Sequence, residues 1–472
     1  MAQISGAAPT ELGTQKISKL LKMYAVPGII AQTAASLYNM VDSIYIGHIP
    51  GVGAAAISGL AVTFPLMNLS IALGTLVGVG GMTMISILLG QKNYGSAQKV
   101  LSNVLSLNVI IGLLFTAVVL PSLDPILRFF GASDVTLPFA KDYMTIIVAG
   151  NVFSHLMHGF NGVIRCSGHP KTAMGLTLFT VISNAILDPV FIFTLGMGIR
   201  GAAVATILCQ VLALVYTLRF LADKRRFLHF PKPLFQLDRR IARQSLAIGV
   251  GPFLMNSAAC IVALFVNQQL RRYGGDDAIG AYGIVNRFTM LFAMICMGFN
   301  QGLQPIAGYN YGARQYKRVR EIFVLTAKWE VLVTTVCFLL SELLPEFAVG
   351  MFVDMSDPAN ASLAQLAPRG LRIMNCGFAL VGFGMVTSNF FQCLGMVKTS
   401  IFLSLSRQLL FLVPLIYALP LWMQETGVWI SFPISDFLSV IVSAFFIIRL
   451  FKQFGKLEDG ESAAALGGSM DN

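Results

Sequence analysis

A chain of 472 residues that is 56% hydrophobic and only 12% charged, with a mean hydropathy of +0.73, repeatedly exceeds the ~20 apolar residues needed to cross a bilayer as helix. A soluble fold is excluded. The net charge of +11 comes from Lys and Arg scattered through short loops without a dense patch, which argues against nucleic acid and for membrane topology.

In chain order, the first 22 residues are polar, carry Lys16, Lys19 and Lys22, and lack the apolar core and cleavage site of a secretory signal. The first span is therefore expected to remain in the mature protein. Apolar runs bounded by Gly, Pro and charge clusters predict spans at 23–46, 56–88, 98–121, 138–164, 172–195 and 200–222. Six more follow at 243–268, 278–307, 320–344, 364–394, 399–421 and 427–449. Lys and Arg number 22 on one side against four on the other (Arg128, Arg200, Arg271, Arg272), which places both termini and the connection between spans six and seven in the cytoplasm. The expected organisation is an N-terminal six-helix bundle over 1–222, a cytoplasmic linker over 223–242 and a C-terminal six-helix bundle over 243–450. A disordered cytoplasmic tail is expected over 451–472. Seven cysteines without a CxxC pair read as small buried hydrophobes, not as disulfides or metal ligands.

The halves repeat one another. Arg165-Cys166-Ser167-Gly168-His169-Pro170-Lys171-Thr172 recurs as Gln392-Cys393-Leu394-Gly395-Met396-Val397-Lys398-Thr399, and Asn93-Tyr94-Gly95 recurs as Asn310-Tyr311-Gly312. Ala56-Ile57, Pro27 and Gly201 have mates in Ala278-Ile279, Pro252 and Gly427. With an even number of spans per repeat, the two units run parallel about an axis along the membrane normal, an architecture that places substrate near mid-membrane between or within the halves. The fold class read from the sequence is thus an all-α integral membrane protein of 12 transmembrane helices, two parallel six-helix repeats around a central cavity.

Two acids stand out inside apolar segments. Asp42 falls in the first span and Asp188 in the fifth, where a charge costs roughly 3 kcal/mol or more and by default marks an ion or substrate path. Gln32, Ser36, Asn39 and Ser43 share one helical face with Asp42 at its edge, Thr177, Thr180, Asn184 and Asp188 repeat the pattern, and Thr206 and Gln210 lie one turn apart. These oxygen-bearing groups suit a proton or Na⁺, with Na⁺ an allowed metal at Asp42 and Asp188. A repeat offset of 225 sets Asn267 opposite Asp42 and Val413 opposite Asp188, so the acidic pair belongs to one half only. The structural alternative is that either Asp caps or ties a broken helix, since Pro189 follows Asp188.

Residues 18 to 450, and above all Gln301-Gly302-Leu303-Gln304-Pro305-Ile306-Ala307-Gly308-Tyr309-Asn310-Tyr311-Gly312-Ala313, resemble the multidrug and toxic compound extrusion (MATE) transporters, in particular their DinF-like or MepA-like prokaryotic branch. The resemblance implies that Asp42, Asn184, Asp188 and Thr206 couple a cation, and that the first helix bends at Pro27. The helix-seven and helix-ten acids of another branch have no evident counterpart.

The implied activity is secondary active export of amphipathic, often cationic organic compounds in exchange for H⁺ or Na⁺, by alternating access. One charge moving down ~100 mV supplies about 2.3 kcal/mol, a roughly 50-fold gradient. No nucleotide-binding GxxxxGK[ST] is present, and no cofactor beyond the coupling ion is expected. The expected partners are small organic molecules and the lipid bilayer of a prokaryotic cytoplasmic membrane, with no obligatory protein partner. A flippase for a lipid-linked precursor is the nearest alternative; a membrane-embedded enzyme is remote, without HExxH or GxSxG. Met290, Met294 and Met297 form a candidate substrate-lining stripe. His155 and His158 share a face of the fourth span and read as helix-to-helix ties, and Arg287 or Arg407 pairing with Asp436 reads as a lock in the second half.

Overall fold

The computed structural model describes residues 11–353, 355 and 361–458, leaving out the side chains of residues 39, 40, 43, 44, 54 and 276. Twelve helical units follow a short turn of helix at Glu11–Thr14: α1 (Ile17–Gly47), α2 (Gly53–Gly90), α3 (Tyr94–Val119), α4 (Leu137–Ala149 and Asn151–Cys166), α5 (Pro170–Pro189, continuing through Val190–Thr194) and α6 (Ile199–Ala222). The second set is α7 (Arg239–Gly275), α8 (Asp277–Gly312), α9 (Tyr316–Leu343), α10 (Ala361–Asn375 and Phe378–Cys393), α11 (Val397–Ala418) and α12 (Pro420–Glu458). Among the described residues nine of these helices are long and apolar enough to cross a bilayer, ten with the bent α10 counted as one span. The two others are α1, diluted by Gln32, Asn39 and Asp42, and α4, cut by Gly150 into pieces of 13 and 16 residues.

The helix ends differ from the sequence-based boundaries for local reasons. Asp238 caps α7, its carboxylate accepting from the Arg240 and Ile241 amides at 2.8 and 3.2 Å, so the linker ends four residues early. That linker is tied to the first half, since the Asp238 amide donates to Asn103 Oδ1 at 3.0 Å. Between α7 and α8 the chain turns at Gly275, whose φ of 74° suits glycine alone. At the other end α12 stays helical through Glu458, so residues 451–458 are not the disordered tail the sequence suggests; the rest of that tail, 459–472, lies outside the described residues. Arg320 on α9 holds Glu458 at 2.9 Å.

Repetition extends to packing. Gly150 in the break of α4 abuts Ile207 on α6, and Gly377 in the break of α10 abuts Pro433 on α12. Likewise Gly201 packs on the backbone at Phe191, and Gly427 on the backbone at Leu419. Each pair is related by an offset of 226 to 228. Breaks at equivalent points show that the interruption of α4 and α10 is a property of the repeat and not of one local sequence.

The core forks. One apolar cluster joins both halves at the end that carries Leu12, Leu89, Tyr309 and Phe454, whereas the opposite end holds two separate clusters, one around Phe115 and Tyr143, the other around Phe288 and Trp429. At the joined end glycines let backbones touch across the halves: Gly90 meets the Tyr309 carbonyl, Gly312 the Ile87 carbonyl, Gly80 the Ser245 carbonyl and Gly249 the Leu76 carbonyl. Gln304 Nε2 donates to Thr83 Oγ1 at 3.0 Å in the same seam. Arg318 then clasps the start of the chain, donating to the Leu12 and Gln15 carbonyls at 3.0 and 2.7 Å, while Asn310 Nδ2 also reaches Leu12. The halves thus share one core at the sealed end and keep separate cores at the split end.

In the second half Arg407 Nε meets Asp436 Oδ1 at 2.8 Å, with the Asp436 side chain 5% and the Arg407 side chain 33% exposed. Arg407 therefore takes the lock role, and Arg287 does not. Arg407→Leu strands a buried acid and is expected to cost about 3 kcal/mol, whereas Asp436→Asn leaves a half-exposed cation and costs less. Thermal unfolding of the two variants in detergent checks the order.

Candidate functional site

The sequence places Asp42 five residues before the end of α1, about 7.5 Å along the helix, and Asp188 just before Pro189, where α5 widens into a π-helical turn over Val190–Thr194. Both therefore lie toward the split end of the first half. Asp42 is 6% exposed, Asp188 0% and Asn184 2%. The two carboxyl groups interact directly with each other, and Asn184 Nδ2 donates to Asp188 Oδ1 at 2.7 Å from one turn earlier on α5.

Three oxygens in this cluster, Asp42 Oδ1, Asp188 Oδ2 and Asn184 Oδ1, have no hydrogen-bond partner. Buried oxygens left open around two acids are costly without a balancing charge. Thr206 reaches the site indirectly: its Oγ1 lies 3.0 Å from the Tyr38 hydroxyl, and Tyr38 sits one turn before Asp42 and within its electrostatic reach. Tyr143 of α4, 1% exposed, faces the same two acids. Neither tyrosine was anticipated. Tyr38 had a signal, its i, i+4 spacing to Asp42; Tyr143 had none, because it arrives from a different helix.

Other expected members turn elsewhere. The side chains of Asn39 and Ser43 lie outside the described residues. Thr180 Oγ1 donates to the Thr177 carbonyl at 2.7 Å, and Thr177 Oγ1 to Ala173 at 3.3 Å, the usual satisfaction of hydroxyls along a helix. Gln210 is held by Ser154 of α4. His155 Nε2 meets the Ser70 carbonyl at 2.8 Å, a tie between α2 and α4, while His158 is exposed.

In the second half the equivalent positions are different in kind. Val413 packs against the local apolar core. Asn267 lines an open cavity of ≈ 650 Å³ with Gln268, Gln269, Arg271, Arg272 and Tyr417.

The neighbour of α1 in the second half is α8. Its Gly298 packs on Ile29, Gly302 on Ala25, and the Gly298 carbonyl on Gly28 of α1. Gln32 Nε2 reaches Met297 Sδ at 3.8 Å. Along that face toward the split end, Met297 and Met294 are half-buried, Met290 is 44% exposed and Arg287 is exposed. Pro27 lies ten residues inside a continuous α1, which begins at Ile17, six residues before the expected start of the span at 23.

The MatE family profile matches residues 27–190 and 247–418. The multidrug export protein MepA of Staphylococcus haemolyticus (strain JCSC1435) is 26% identical over 434 residues, covering 92% of this chain and 94% of that protein. A structure described as MATE in the bent conformation superposes with a TM-score of 0.89 at 25% identity, covering 96% of this chain and 99% of the other. A MOP superfamily transporter from Pyrococcus furiosus, described as having a binding pocket of reverse polarity that suggests a different function, gives 0.87 at 26% identity over 96% and 99% of the two chains. MATE transporter structures have 12 helices in two repeats, the arrangement found here. The chain belongs to the MATE family: it is a multi-pass membrane transporter and not an enzyme.

Proposed function

We propose that this transporter is a cation-coupled antiporter that exports amphipathic, often cationic organic compounds from the cytoplasm, with H⁺ or Na⁺ moving inward through the Asp42–Asp188 site. The observation that carries the reading is the buried acidic pair with three unpartnered oxygens beside it. The names of the relatives as multidrug export proteins support the substrate class. In this reading both termini and the sealed end are cytoplasmic, the split end faces outward, and the forked core is the outward-open stage of alternating access. The chain then divides at the 223–238 linker into two bundles that rock about the glycine seam.

Everted vesicles loaded with an aromatic cation dye test this, with the pH and sodium gradients dissipated separately. Loss of efflux on collapse of one gradient names the ion; efflux that survives collapse of both removes the proposal.

Pro27 takes the role of a bend in α1. Its ring removes the backbone bond to the Met23 carbonyl, and its neighbour Gly28 touches α8, so bending there alters the seam and the depth of Asp42 together. Pro27→Ala is expected to lower coupled efflux severalfold without loss of folded protein. Unimpaired transport by that variant, measured in the same vesicles, would remove the bend from the mechanism.

One observation favours a second reading. Arg287 is exposed on α8, and Arg271 and Arg272 line the cavity of the second half, so an anionic headgroup would find exposed cations in that half, as a flippase for a lipid-linked precursor requires. Failure of dye efflux together with movement of a phosphate-bearing lipid would establish it.

A further inference from the structure

Glu330 lies at the middle of α9, fourteen residues from Tyr316 and thirteen from Leu343. It is 0% exposed, and both carboxyl oxygens lack a hydrogen-bond partner. None of the ion pairs among the described residues includes it. A carboxylate without a counter-charge at that depth costs several kcal/mol. The Asn300 amide alongside is polar but carries no charge to balance it.

The surrounding groups say what can. From α8 come Cys296 and Asn300; Cys337 of α9 stands beside Cys296, Thr334 of α9 donates to the Glu330 carbonyl, Asn389 of α10 reaches Asn300, and Gly382 of α10 packs on the Glu330 backbone. No Lys, Arg or His stands among them. Asn389 Nδ2 donates to both the Asn300 Oδ1 and the Asn300 carbonyl, at 2.8 and 3.3 Å. Thr334 Oγ1 is engaged by the Glu330 and Ala379 carbonyls, both at 3.0 Å. With the neighbouring oxygens committed, the six or more oxygens of a hard metal cation are not available. A proton fits.

The repeat sharpens this. In the first half the Asn108 side chain of α3 abuts Gly159 of α4, which in turn abuts Gly78 of α2; in the second half the Glu330 backbone of α9 abuts Gly382 of α10, with Asn300 of α8 beside the Glu330 side chain. The offsets are 222, 223 and 222. An amide thus stands in one half where an acid stands in the other, the converse of the Asp42 and Asp188 asymmetry. Asn300 is also two residues from Gly298 and one from Gln301, the α8 residues that grip α1 around Gly28.

We propose that Glu330, held between α8 and α10 beside Asn300, is a second proton-binding site, located in the half that lacks the first. Binding and release there change the charge directly behind the α8 face that seals against α1. The site goes beyond the antiport reading, and its test does not rely on transport.

Infrared difference spectra between acidic and alkaline buffer, with and without ethidium, report protonated carboxyl groups in the purified full-length protein. Over the pH-dependent background of the other carboxyls, which ethidium leaves unchanged, the Asp42→Asn, Asp188→Asn double variant is expected to retain one carboxyl band that changes with pH and with ethidium. Adding Glu330→Gln is expected to abolish it. Glu330→Asp, which keeps an acid should Gln fail to fold, is expected to shift the band. No remaining band in the double variant, a band indifferent to pH, or a spectrum unchanged by either Glu330 variant would overturn the site. Failure of the first reading shows differently, as coupled efflux that survives in the Asp42 and Asp188 double variant.

Discussion

Asp188→Asn is expected to reduce ion-driven efflux by at least tenfold while leaving the protein folded and able to bind dye. The reason is the geometry of the pair. Asp188 is fully buried, contacts Asp42, and accepts from Asn184 through only one of its oxygens. Asn keeps the shape and the bond from Asn184 but cannot exchange a cation, so a coupling role fails where a merely structural one survives. Asp42→Asn should behave alike, and the double variant should be no worse than the stronger single one, since the two acids act as one unit. Efflux and dye binding measured side by side in proteoliposomes check this. Wild-type coupled efflux in both single variants would show that the acids serve the fold alone.

A valine at Gly249 is expected to abolish transport by a different route. Gly249 on α7 lies so close to the Leu76 carbonyl that even a Cβ has no room, and Gly80 on α2 makes the mirrored approach to Ser245. Overpacking of this kind costs about 1–3 kcal/mol or more, and it is charged only to the conformation in which the seam is shut. At about 3 kcal/mol the population shifts away from that conformation by roughly two orders of magnitude. Spin labels placed through Lys92→Cys and Arg314→Cys, in the turns that follow α2 and α8, should report a longer distance in Gly249→Val than in the unmodified seam. An unchanged distance would mean that the seam tolerates the bulk and is not a gate.

The fold was largely legible because a bilayer imposes one strong rule, that long apolar segments form helices. The repeat, the acid in the first span and the Asn184–Asp188 pair could each be read from spacing along one helix. What escaped depends on contacts between helices. Tyr143 approaches the acids from α4, and the fork in the core has no trace in any single segment. Glu330 falls inside the expected 320–344 span but drew no reading, since Lys328 two residues earlier makes a lone charge there unremarkable. In the structure Lys328 is exposed and Glu330 is buried, about 200° apart around α9. The polar residues of α5 misled in the other direction, for Thr177 and Thr180 bond within their own helix.

The weak apolar character of α1 has a consequence for biogenesis. A helix bearing Gln32, Asn39 and Asp42 gains little by entering lipid alone, since an aspartate costs up to about 3 kcal/mol on insertion, most at the centre of a segment and less toward its end. The strongly apolar α2 follows after a turn of a few residues. The nascent chain is then expected to leave the translocation channel as a hairpin, α1 shielded by its successor until α5 and α6 arrive to enclose the acid. The groups that equip the finished protein to handle ions thereby dictate the order in which its helices reach the membrane.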